Sequence, residues 1–204
     1  MPDPDLRLHQ RPLHEHPDAA GKMLDRIAPL DRQTQSGMAG SAAAVASGGG
    51  LIDHAAAAAA LERCAALLER LATDARVNQS GVLHVVIVDP LAPMRADFDA
   101  AVLIERSFGR PRTDWDADYA DFARSKAELS WRHRRDTHAL QALAPQRLRS
   151  GDSALWGSVW LDGIVVAVSG CEAAYDEAAA GAVAMMLRAH AKQALVRVDG
   201  TAIP

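Results

Sequence analysis

A chain of 204 residues, 49% of them hydrophobic, can bury one sizeable core with a tail attached, or two small cores at most. A net charge of −4 argues against a general attraction to nucleic acid or to anionic membrane surfaces, and an aromatic content of 4% means a core built mainly from Ala, Val and Leu. Cys64 and Cys171 lie far apart without a CxxC, which argues against a disulfide framework and fits a reduced cytoplasm. No apolar run approaches the roughly 18 residues that a membrane-spanning helix takes. The start of the chain also lacks the basic-then-apolar order of a signal peptide, so the expected location is cytoplasmic.

Residues 1–50 read as a flexible tail. Five prolines, scattered charge of both signs and the SAAAVASGGG stretch do not supply the apolar periodicity of a packed segment. Lys22 to Ile27 offer at most one helical turn. His9, His14 and His16 have no carboxylate or cysteine at fixed spacing, so a metal site is not expected there.

Asp53 is a suitable N-cap for a helix whose buried stripe is Leu61, Cys64, Ala65, Leu68, Leu71 and Ala72. That helix is expected to stop near Asn78 to Gly81. Val82 to Val88 is nearly continuous in apolar residues, as a central strand covered on both faces requires. His84 within it reads as a hydrogen-bonded sheet-face histidine. After Asp89-Pro90 the pattern weakens; Met94 to Ala100 reads as a short return strand. Asp114, Asp116 and Asp118 alternate like the first half of a calcium loop. Tyr119 and Ser125 stand where that loop needs its glycine and its closing glutamate, so the aspartates read instead as charge favourable to a helix N-terminus.

A helix is expected over about 116–135. At 100° per residue Phe122, Lys126, Leu129 and His133 share one wedge of it, flanked by Tyr119 and Ser130. A lysine and a histidine on a core-facing stripe need partners. Trp131, Arg134 and Arg135 point the other way. Asp136-Thr137 caps a shorter helix ended by Pro145. Two strands joined by Asp162-Gly163 then form a hairpin, because a type I′ turn needs positive φ at both central residues. A last helix is expected from Asp176, with Ala178, Ala182, Met185, Met186 and Ala189 as its packing face. Residues 199–204 read as frayed.

Three stretches resemble the GlcG/HbpS-like family, which includes haem-binding proteins and the C-terminal domain of PduO-type adenosyltransferases. The first is LIDHAAAAAALERCAALLERL with VLHVVIVD, like the family's opening helix and first strand. The second is SKAELSWRHRRDT, in which Lys126, Arg134, Arg135 and Thr137 fall at the family's spacing. The third is VWLDGIVVAVSGCEAAYDEAAAGAVAMML, similar to the family's strand, Asp-Gly turn, "VSG", acidic pair and Ala/Gly helix. The chain departs from the family pattern at Asp89-Pro90-Leu91 and at Ala154-Leu155-Trp156-Gly157, where glycine-rich turns are usual.

The resemblance covers about residues 51–192. It implies a layered α/β (α+β) domain over 51–198, with an antiparallel sheet of about five strands and helices packed on it, profilin- or GAF-like. It also implies a homo-oligomer that binds a small molecule: haem, a corrinoid or an organic acid. The ligand-binding residues expected are Lys126, His133, Ser169, Gly170, Asp176 and Glu177. His133, or else His84, would be the axial ligand of a haem iron. Two other readings stand beside this one. In the first, the chain is an enzyme on small carbonyl or carboxylate compounds, with Lys126 fixing a carboxylate and His133 or Glu177 moving protons. In the second, it is an oligomeric partner protein without a ligand.

Overall fold

The computed structural model describes residues 50–93 and 96–198. The tail, its three histidines and the frayed C-terminus of the sequence reading lie outside the described residues. The elements run α1 (His54–Thr73), β1 (Val82–Val88), α2 (Phe98–Ala101), β2 (Val102–Gly109), α3 (Tyr119–His133), α4 (Thr137–Leu143), β3 (Ser158–Leu161), β4 (Ile164–Ser169) and α5 (Ala173–Val196).

The four strands form one antiparallel sheet in the order β2-β1-β4-β3. Side chains alternate across β1 and β4, as the two-residue period of a strand requires. Leu83, Val85, Ile87, Ile164, Val166 and Val168 face α1 and α5 in the larger core. Val86, Val88, Val165 and Ala167 face Ala123 and Ala127 of α3 in a second, smaller one. The central pair is thus covered on both faces, and every residue of β1 is buried.

The Asp53 side chain accepts a hydrogen bond from the Ala56 N–H at 2.8 Å, closing the start of α1. The β3–β4 hairpin turns on Asp162 at φ 51° and Gly163 at φ 99°, both in the positive region that an Asp-Gly type I′ turn demands. Among the described residues no helix is long and apolar enough to cross a membrane.

Three expectations change. The weak return strand lies later than expected: residues 98–101 form a single helical turn and β2 begins at Val102. The sheet has four strands rather than about five. The packing face of α5 is rotated from the expected one. Ala179, Ala180, Val183, Ala184 and Leu187 are buried, whereas Met185 is half exposed. Trp131 does not point away from the core; its ring meets that of Phe98 at 5.8 Å and covers the edge of the smaller core.

Candidate functional site

The sheet sets β4 beside the middle of α3, and only residues 170–172 separate β4 from α5. These three elements meet at Lys126. Its side chain is almost wholly buried and donates to Val168 O at 3.0 Å, Ser169 Oγ at 3.2 Å and Asp176 Oδ2 at 2.9 Å. An ammonium has three protons, so all of its donors are used inside the protein. Asp176, equally buried, turns its second oxygen back to accept the Cys171 N–H at 2.9 Å. Burial raises the Asp176 carboxyl to about 6, against the opposing pull of the Lys126 charge.

Two glycines make this junction possible. A side chain at Gly157 would start 2.6 Å from Asp176 Cβ and 3.3 Å from Lys126 Nζ, and one at Gly170 would start 2.0 Å from Val82 O. Thr137 holds the first of them in place. Its hydroxyl accepts the N–H groups of Gly157 at 3.0 Å and Ser158 at 3.1 Å. The Asp136 carboxylate accepts the Trp160 N–H at 2.6 Å. The start of α4 therefore fastens the entry of β3 over the ion pair. Ser80 fastens the other side, donating to Gly170 O at 3.1 Å.

A cavity of about 550 Å³ opens above Lys126, within the usual size range of a small-molecule site. Ser169, Gly170, Cys171 and Asp176 form its floor with Lys126. Tyr119, Phe122 and Trp156 give it aromatic walls, and Asp116 and Glu172 stand on it as further carboxylates. The Tyr119 hydroxyl donates to Asp116 at 2.9 Å. Burial raises the Tyr119 phenol, with the Asp116 bond and the Asp176 charge acting in the same sense. The Cys171 thiol is pushed up to about 12, first by burial and then by the Asp176 charge.

Four of the six expected site residues, Lys126, Ser169, Gly170 and Asp176, therefore line one cavity. The other two do not. His133 lies two turns beyond Lys126, about 10 Å further along the axis at 1.5 Å per residue. Helical phase set its direction correctly but not its height. It is buried at the far end of α3 and both ring nitrogens lack hydrogen-bond partners. Glu177 is one residue further round the helix, about 100° from Asp176, and does not line the cavity; its Oε2 lies 3.6 Å from His138 Nδ1. The His138 ring stacks on Trp156 with centroids 4.3 Å apart. Burial raises the Glu177 carboxyl.

His84 is the sheet-face histidine that the sequence predicts. Its Nδ1 lies 2.8 Å from Ser107 Oγ and its Nε2 3.2 Å from Glu105 Oε2. The sequence reading missed Gly157, Trp156, Tyr119, Asp116 and Glu172. Tyr119 alone carried a signal, since helical phase sets it beside the wedge of Phe122 and Lys126.

The residues on this wall do not fit haem. Neither candidate histidine lines the cavity, and the nitrogens of His84 are both engaged. Cys171 and Tyr119 remain as axial donors, and for both the anionic form that would bind iron is disfavoured. Among the described residues no group of three His, Cys, Asp or Glu side chains is placed to hold a metal ion.

Burial lowers the His133 imidazole, reinforced by Arg132 and Arg147. Its folded value lies below the unfolded one, near 6.5, so the unfolded state takes up the proton first. The stability that goes with a neutral His133 is fully present above that pH and is lost as pH falls through it. Asp176, raised in the fold, acts in the opposite sense between its ordinary 3.8 and about 6. His133→Leu is therefore expected to flatten the fall in thermal midpoint between about pH 7 and about pH 6. An unchanged slope in that variant would exclude His133 as its source.

No family model matches the chain, and neither a curated protein nor a solved structure matches it.

Proposed function

We propose that this chain is a small-molecule-binding protein of the GlcG/HbpS-like type, cytoplasmic and homo-oligomeric, with its ligand seated over Lys126. The observation that supports the reading is the convergence itself. Lys126 of one motif, and Ser169, Gly170 and Asp176 of another, come together around one open cavity from α3, β4 and α5, and Thr137 of the first motif fastens Gly157 beside them. A buried ion pair with its hydrogen bonds satisfied gives such a cavity a rigid polar floor, and the three rings give it an apolar wall. The ligand is a small organic molecule rather than haem or another cofactor that needs a free histidine.

Native mass spectrometry of the full chain, purified from its own host, tests this. The expected result is a reproducible bound mass above the 21.7 kDa of the polypeptide, carried by a species of two or more subunits. The bound mass should be lost when the floor is altered in Ser169→Ala. Bare polypeptide in every preparation would favour the ligand-free partner reading instead.

A further inference from the structure

We infer that the Lys126 cavity takes an organic cation, an ammonium-bearing compound with an apolar or aromatic body, and not an organic acid. The inference rests on the binding reading above and names the chemistry of the ligand. It starts from where the charges stand. Lys126 is the one cation on the described walls, and its three protons are taken by Val168 O, Ser169 Oγ and Asp176 Oδ2. A ligand carboxylate would find no free proton on it.

Three carboxylates, Asp116, Glu172 and Asp176, share the same cavity, so the ionised walls carry more negative than positive charge. The two at the rim are exposed and do not contact Lys126. Glu172 stands at the N-cap of α5 without bonding the helix's own N–H groups. An acid approaching that helix start would meet Glu172 on one side and Asp176 on the other.

The rings point the same way. Tyr119, Phe122 and Trp156 all line the cavity, the Trp156 ring with one face covered by His138. A cation within about 6 Å of an open aromatic face is attracted by the ring's quadrupole, most strongly when water is excluded. Tyr119 and Cys171 both feel the negative field of Asp176, the field that an ammonium group would relieve.

The test uses the full chain and three probes that differ only in the head group. These are 2-phenylethylamine, 2-phenylethanol and 3-phenylpropionate, each titrated by calorimetry at neutral pH. The amine is expected to bind at least about tenfold more tightly than the alcohol or the acid. Glu172→Gln and Asp116→Asn, both at exposed positions, are each expected to weaken the amine about tenfold, the usual effect of losing one charged contact, and to leave the alcohol unchanged. If the alcohol or the acid binds as tightly as the amine, the cation assignment falls and the cavity reading stands. If no probe binds and the host-purified protein carries a bound mass that is neutral or anionic, the assignment falls in the same way. If no probe binds and no bound mass is found, both readings fall.

Discussion

Gly170→Ala is expected to yield no stably folded protein. At φ 142° the backbone of Gly170 is in a region that L side chains rarely adopt, and a Cβ there would lie 2.0 Å from Val82 O, 2.8 Å from Val82 C and 3.0 Å from Leu83 Cα. These are main-chain atoms of the central strand. Val82 O already accepts the Asn78 amide at 2.7 Å, so the strand start cannot move without breaking a buried bond. The clash therefore adds to backbone strain, and a loss above about 4 kcal/mol follows, at the extreme end for single substitutions. Gly151→Ala is the control. It has φ 92° but open space around it, and it should cost about 1–2 kcal/mol from the backbone alone. Urea unfolding of the two variants would separate these effects. Equal midpoints would mean that the close approach to β1 has no energetic consequence.

The same position shows what the sequence could reveal. The "VSG" run was visible as a motif, and so was the hairpin before it, because Asp-Gly prescribes its own backbone angles. β1 was legible because seven nearly continuous apolar residues fit only a strand covered on both sides. β2 was not. Its middle carries Glu105 and Arg106, which hide the alternation of a strand, and in the fold they pair with Arg124 and Glu62. The phase of α5 was ambiguous for a different reason. Alanines on every side give the helix no apolar contrast, so the face with Val183 and Leu187 did not stand out.

At the site, helical phase and one short connection were enough to bring Lys126 to Ser169, Gly170 and Asp176. The same phase misplaced His133, since it fixes an angle around the axis and says nothing of position along it. The cavity's other wall was out of reach. Trp156 and Gly157 come from a segment without periodicity; Gly157 is placed by its hydrogen bond to Thr137, 20 residues earlier, and Trp156 by its stack on His138.

Lys126→Ala is expected to destabilise the protein by about 3–5 kcal/mol, the range for removing one partner of a buried ion pair. In a chain of this size that is a fall of roughly 6–20 °C in thermal midpoint. The variant leaves Asp176 buried beside Val168 O and an unanchored Ser169, and it removes the charge that holds the carboxyl down. Asp176 should then take up a proton at neutral pH. The stability of the variant should accordingly rise as pH falls through the higher folded-state value, since the folded form holds the proton more tightly than the unfolded one. The double variant Lys126→Met with Asp176→Leu is expected to recover most of the loss. Even with Lys126 in place the Asp176 carboxyl sits at about 6 rather than at its ordinary 3.8, so the ionised form is worse off folded than unfolded. The cost of taking two charges out of water offsets much of their attraction, so two apolar side chains of similar volume should do as well. What they cannot do is hold Ser169 and the loop at Cys171 in place beneath the cavity. A double variant with wild-type stability and no ligand would assign the pair to binding. A double variant as unstable as Lys126→Ala would assign it to the fold, and the site would then have to be sought at its rim.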